Sequence, residues 1–396
     1  MLVGRSEVTP IHAIRDMASA TGTFTISLDF ELYWGVHDQR PLAAYARNLL
    51  GAREAIPRML ELFDRYGVHC TWATVGLLFF DRKADLMEHL PEPRPRYADP
   101  ALSPYPRIGQ IGPNERQDPY HYGLSLIEQI RDCPGQEIGT HTFSHYYCLE
   151  PGETEDGQSE ATFRADLLAA RRAAERLGIT PRSLVFPRNQ YRSDYLEACR
   201  DAGLEVVRGN HPAWWFRAES RSEENLVQRA CRLSDDYLPV SRQDCLHPQA
   251  IEGGLVDVRA SRFLRPAPSA LRPLEPLRLH RITAGLSRAA RHGMIYHLWW
   301  HPHNFGADPD YSLSFLERVL EHFRHLAQTY GMRSATMLEI AREWTASEQA
   351  LAATPPLVGR EVAAPMALAA SSTHGLASRG LASQGLGAAP GKAVRC

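Results

Sequence analysis

Glu137-Ile138-Gly139-Thr140-His141-Thr142-Phe143-Ser144-His145 places two imidazoles four residues apart, where a short apolar strand should run out into a loop. Neutral imidazole is the commonest protein ligand for divalent metals, and this separation lets two rings converge on one ion. Three other polar groupings also fall at the ends of expected strands: Asp29-Phe30-Glu31, Phe186-Pro187-Arg188-Asn189-Gln190 and Leu298-Trp299-Trp300-His301-Pro302-His303. The four together point to one site built at one end of a sheet.

Around these groupings the chain alternates strand and helix signals. Thr23-Phe24-Thr25-Ile26-Ser27-Leu28-Asp29 is β-rich, and residues 42–66 carry a helical apolar stripe through Leu49, Leu50, Ile56, Leu60 and Phe63 that stops at Gly67. Residues 68–75 read as a second strand. A helix is expected at 124–131, then the strand into His141, and then a helix capped by Ser159 that stops at Gly178. Leu184-Val185-Phe186 is extended, 191–202 helical, 204–207 extended, 277–292 helical and 294–299 extended. Residues 315–330 form an amphipathic helix ended by Gly331, and Thr336 with Glu339 opens the last helix as a capping box. Parallel neighbours need crossover connections, so this order predicts a parallel α/β sheet rolled into a closed or nearly closed barrel. Reactive residues in such barrels stand at the carboxyl ends of strands, where Asp29, His141, Phe186-Pro187 and His301 all lie.

The composition narrows the function. With 44 basic and 46 acidic residues the net charge is −2, so no overall field favours nucleic acid or an anionic membrane. The seven cysteines are scattered without a CxxC pair, which argues against a disulfide framework or a thiolate zinc knuckle. No apolar run reaches the length of a signal peptide or an integral membrane segment, and the expectation is a soluble cytoplasmic protein. Three regions stand apart: an N-terminal extension at 1–22, a proline- and tyrosine-dense stretch at 91–122, and an Ala/Gly/Ser-rich tail at 346–396 expected to be disordered. The stretch at 91–122 reads either as the wall of a groove or as a disordered insertion. Residues 259–291 hold eight arginines against the single acid Glu275, a charge pattern suited either to a solvated helix face or to phosphate contacts.

His141-Thr142-Phe143-Ser144-His145 resembles the metal-binding motif of the polysaccharide deacetylase family, the NodB homology domain of carbohydrate esterase family 4. Other pieces follow in the family's order: Ser27-Leu28-Asp29-Phe30-Glu31 as the acidic motif, Thr71-Trp72-Ala73-Thr74-Val75-Gly76 as the next strand, Phe186-Pro187-Arg188-Asn189 as the third motif, and Leu298-Trp299-Trp300-His301 as the closing one. The resemblance spans about residues 23–345. It implies a distorted (β/α) barrel and hydrolytic removal of an acetyl group from a sugar with one divalent metal, most commonly zinc. It also implies His141 and His145 as metal ligands, His301 as general acid, and Arg188 as the arginine that orients the base. Most relatives have two adjacent aspartates where this chain has Asp29 and Glu31 separated by Phe30. Alternate strand residues share a face, so both carboxylates can reach the site. Asp29 is assigned as base and Glu31 as third ligand, with the exchanged roles left open.

Trp34, Trp299, Trp300, Asn189 and His303 are expected to line the substrate cleft, His303 also competing with His301 as acid. The substrate expected is an acetylated sugar or glycoconjugate, free or carried on a nucleotide or lipid, and the oligomeric state is left open. Three alternatives remain. The same barrel hydrolyses cyclic ureides and imides, an inactive relative would bind carbohydrate only, and a glycosyltransferase would use Asp29-Phe30-Glu31 as a nucleotide-sugar metal motif.

Overall fold

A computed structural model of the chain describes residues 21–154, 159–220, 223, 225–241, 244–266 and 269–353. The N-terminal extension up to residue 20 and the tail from 354 onward lie outside the described residues.

Ten strands form one sheet: β1 (Thr23–Phe30), β2 (Cys70–Thr74), β3 (Gln136–Thr140), β4 (Ser183–Leu184), β5 (Val206–Val207), β6 (Gln249–Ala250), β7 (Val256–Asp257), β8 (Arg262–Phe263), β9 (Ile295–Trp300) and β10 (Arg333–Ser334). Their order is β6-β7-β5-β4-β3-β2-β1-β9-β8, with β10 beside the start of β1. Every pairing is parallel except β6 with β7. Crossover helices make this possible: α1 (Leu42–Tyr66), α2 (Leu124–Asp132), α3 (Glu160–Glu175), α4 (Leu196–Asp201), α5 (Leu226–Tyr237), α6 (Glu275–His292), α7 (Pro309–Tyr330) and α8 (Met337–Ala353).

The sheet curls until one stretch of chain bridges its ends. Residues 256–263 bond first to β5, through Val258 N to Val207 O at 3.0 Å, and then to β9, through Ser261 N to His297 O at 2.9 Å. That segment draws the sheet round into the distorted barrel expected from the sequence.

The two faces of β1 explain where the chemistry sits. Phe24, Ile26, Leu28 and Phe30 point outward into the helix layer, Phe24 against Phe323 of α7 at 5.2 Å between ring centres. Ser27 and Asp29 point into the barrel, where they meet Arg208 and His297. The strand is buried on both faces, as a strand of a covered parallel sheet must be.

Helix α1 ends where expected, at Gly67 with a left-handed φ of 62°. Ser159 caps α3, and Thr162 answers it in a capping box. Thr336 and Glu339 bond each other's backbone N–H at the start of α8. That helix continues to Ala353, past Thr345 where the sequence reading ended order, because Ala, Glu, Gln and Leu are good helix formers.

Two irregular regions resolve. The stretch 91–122 is ordered against the turn after β1: Tyr33 N donates to Tyr120 O at 3.2 Å and Trp34 Nε1 to His121 O at 2.8 Å. In the arginine-rich segment, Arg262 and Arg281 are buried against Asp235 and Asp244, and Arg278 against Glu275. Arg281 joins α6 to α5 through Asp235, and Arg262 ties β8 to Asp235 and Asp244. Of the two readings of residues 259–291, a solvated helix face or phosphate contacts, neither holds at Arg278 and Arg281, whose charges are already used inside the protein.

Candidate metal centre

Strand β3 ends at Thr140, and the chain then turns through Thr142 and His145, both at positive φ (62° and 59°). For non-glycine residues such angles cost about 1–3 kcal/mol each and persist only where surroundings enforce them. The enforcing group is Asp166 on α3. Its carboxylate accepts from Phe143 N at 2.6 Å, from Ser144 N at 3.3 Å and from the Ser144 hydroxyl. Burial pushes the Asp166 carboxyl up to about 6, against the opposing pull of these donors. Thr142 Oγ1 accepts from Tyr146 N at 2.7 Å and closes the loop.

That turn aims both imidazoles at Glu31. His145 Nε2 lies 3.0 Å and His141 Nε2 3.4 Å from Glu31 Oε2, and the three candidate ligand atoms all lie within 4.8 Å of one another. A cation held at roughly 2.0–2.1 Å by tetrahedral donors sets its ligands about 3.3–3.4 Å apart, so the spacing suits one ion. His141 Nδ1 bonds Val185 O at 2.8 Å, which fixes that nitrogen as the donor and leaves Nε2 with its lone pair. Nε2 is buried with no hydrogen-bond partner, the condition of a ligand atom. Burial raises the Glu31 carboxyl, but His301, His141 and His145 together hold it well below the usual range. His145 is pushed down by burial and partly restored by Glu31, which favours the neutral ring that metals bind.

Asp29 stands apart from this trio. Its two oxygens accept from Arg208 Nη1 and Nη2 at 2.7 and 2.8 Å, a bidentate pair that is almost wholly buried. Burial raises Asp29, yet Arg208, His141 and His301 bring it below its ordinary value. Arg208 also donates to Ser27 Oγ at 2.9 Å and to Asn189 Oδ1 at 2.9 Å, and lies over the Trp299 ring at 4.2 Å. Ser27 in turn meets His297 Nε2 at 2.8 Å. Burial and the Arg208 charge push His297 down to about 3, so its ring is neutral and accepts the Ser27 proton.

Arg188, expected beside the base, does not reach Asp29. It sits at φ 54°, pairs with Asp38 and lies over the Tyr147 ring at 4.3 Å. The strand ends of β4 and β5 are neighbours, and the guanidinium on Asp29 comes from β5. Asn189, expected to line the cleft, accepts from Arg208 through Oδ1.

His301 is the most open of these groups, its side chain 23% exposed, with Nε2 3.7 Å from Asp29 Oδ2 and 3.7 Å from Glu31 Oε1. Its Nδ1 meets Asn304 Oδ1 at 3.2 Å. His303 is buried beneath it, rings stacked at 5.1 Å, and burial pushes it down to about 3. Trp299 borders the cleft beside His301 and Phe263. Trp34 and Trp300 do not line it. Both are fully buried, Trp300 on the outward face of β9 against Phe63 and Phe305, Trp34 under the 91–122 stretch.

Two residues that shape this centre, Arg208 and Asp166, carry no motif signal. Arg208 follows Val206-Val207 directly, so its place at a strand's carboxyl end was the available sign. Asp166 shows as an acid on the apolar face of α3, among Phe163, Leu167 and Ala170.

A family model described as polysaccharide deacetylase matches residues 50–207, the stretch that holds His141, His145 and Arg188. No curated protein sequence matches the chain. A crystal structure from Mycobacterium smegmatis, assigned as a polysaccharide deacetylase, shares the fold at TM-score 0.52 and 14% identity, over 83% of this chain and 93% of that one. Another from Pseudomonas aeruginosa PAO1, assigned likewise, does so at TM-score 0.50 and 13% identity, over 86% and 95%. Residues 50–207 thus resemble the polysaccharide deacetylase family, and the barrel is the fold of solved structures assigned to it.

Proposed function

We propose that this protein hydrolyses the acetamide of an N-acetylated sugar, releasing acetate and an amine, with Glu31, His141 and His145 holding one divalent cation. The observation that carries the reading is the convergence of those three buried groups beside a second carboxylate, Asp29, that lies outside the trio. Two imidazole nitrogens and one carboxylate oxygen are the donor set of a hydrolytic zinc site. When bound, such a cation polarises the acetyl carbonyl and makes water acidic enough to ionise near neutral pH.

The chain's own groups supply the rest. Asp29, kept ionised and oriented by Arg208, takes the proton from water. His301 gives a proton to the departing nitrogen; with Nδ1 engaged by Asn304, its Nε2 faces both carboxylates. His303 is buried and neutral, and serves as a stacking support for His301. Trp299 offers an apolar wall for the acetyl methyl or a sugar face.

The test is metal analysis of the purified protein and of His145→Ala, coupled to an acetate-release screen on N-acetylglucosamine oligomers and nucleotide-linked N-acetylhexosamines. One metal per chain, lost with activity in the variant, is the expected result. A fully metal-loaded protein that frees acetate from none of these substrates overturns it.

A further inference from the structure

The carboxylate of the candidate metal centre comes from beyond the strand. Strand β1 stops at Phe30, Glu31 takes φ −129° and ψ −17°, and Leu32 follows at φ 46°. The chain thereby folds into the helical turn Leu32–Gly35, closed by Trp34 N to Glu31 O at 3.0 Å.

That fold-back sets Gly35 directly against the Glu31 side chain. A Cβ on Gly35 would fall on Glu31 Cδ, Oε1 and Oε2, far inside van der Waals contact with all three. The backbone itself does not ask for glycine here, since Gly35 is not among the residues at positive φ. The space is what matters.

The other sides of the Glu31 carboxylate are lined by imidazoles. Oε2 faces His141 and His145, while Oε1 faces His301 at 3.7 Å and His303 at 3.8 Å. Its side chain is 4% exposed. His141 is fixed by Val185 O and His303 is buried, so the walls on these sides do not yield.

We propose that Gly35 is a positioning residue for the metal: the missing Cβ is the seat of the Glu31 carboxylate. In this design the turn Leu32–Gly35 lets a longer acid, one residue past the strand end, deliver its oxygen to the histidine pair. The proposal rests on the metal reading above, and its test separates the two.

The full-length Gly35→Ala, Glu31→Ala and double variants are compared for zinc affinity by chelator competition, and for melting temperature in chelator. Gly35→Ala is expected to weaken zinc binding about 10–100-fold, the usual effect of disturbing a ligand's support. Without metal it should melt well below the parent, yet make little difference in the Glu31→Ala background. Wild-type zinc affinity in Gly35→Ala, or an equal loss of melting temperature in both backgrounds, overturns the proposal. If Gly35→Ala does not fold alone, folding of the double variant supports the seat and failure of the double variant refutes it. A parent protein that binds no divalent cation sinks the hydrolase reading, while the metal-free comparison still decides the role of Gly35.

Discussion

Replacing Arg208 by Met tests how the interior of the barrel is held. Arg208 is buried, with its guanidinium shared among both Asp29 oxygens, Ser27 and Asn189 and flattened on Trp299. Methionine fills much of the same stem volume, so the loss is mainly electrostatic. Removing one partner of a buried ion pair costs about 3–5 kcal/mol, because the remaining charge stays buried without its bidentate partner. At about 2 °C per kcal/mol for a domain of this size, the melting temperature should fall roughly 6–10 °C. Adding Asp29→Asn removes the stranded charge, so the double variant should melt above Arg208→Met alone, a non-additivity read by a double-mutant cycle. Arg208→Met should keep its bound metal, since Arg208 touches no candidate ligand, but lose about 100-fold or more in acetate release as the base loses its orientation. A single variant melting within about 1 °C of the parent, or a double variant no better than additive, would refute this account.

Asp166 gives a pH dependence. Burial pushes its carboxyl up from the ordinary 3.8 to about 6, so its protonated form is the one folding favours. The stability it contributes is complete below about 3.8 and is lost as pH rises through about 6, amounting to about 3 kcal/mol. Melting curves of Asp166→Asn should fall less between pH 4 and 7 than those of the parent; parallel curves would contradict this. Ser159→Ala should cost about 1 kcal/mol in denaturant titrations through loss of the α3 cap, with metal content unchanged. Arg281→Ala should lower the melting temperature by breaking its buried contacts with Asp244 and Asp235, and should leave KM the same for phosphorylated and neutral substrates. A KM rise confined to the phosphorylated substrate would restore the phosphate role for that arginine.

Long amphipathic elements with clear stops were legible from sequence: the helix Leu42–Tyr66 ending at Gly67, and the helix capped by Ser159. So was the histidine pair, because a local spacing carries its own geometry. What depended on chain segments meeting in space was not. Arg188 lies in the expected motif, but the guanidinium on Asp29 comes from a strand end twenty residues later. Strands β4 and β5 are only two residues long, too short to show alternation. Helix α5 escaped notice because Leu226, Val227 and Leu233 are exposed, and it is held by the buried acids Asp235 and Asp236. The roles of Trp299 and Trp300 were readable after all, since the alternation that turns His297 and His301 inward turns Trp300 out.

Strand β1 has a partner on each side, β2 soon after it and β9 some 270 residues further along the chain. A ribosome adds about 5–20 residues each second, so roughly a quarter of a minute to nearly a minute separates emergence of the two strands. Through that interval the hydrogen-bonding edge of β1 that awaits β9 stands open. An unpaired edge of this kind is a template for wrong partners. Contacts so distant in sequence also form slowly. The nascent protein is thus most exposed to misassembly at the strand that will carry Asp29, and a folding helper that shields that edge until β9 arrives should raise the yield of native chains.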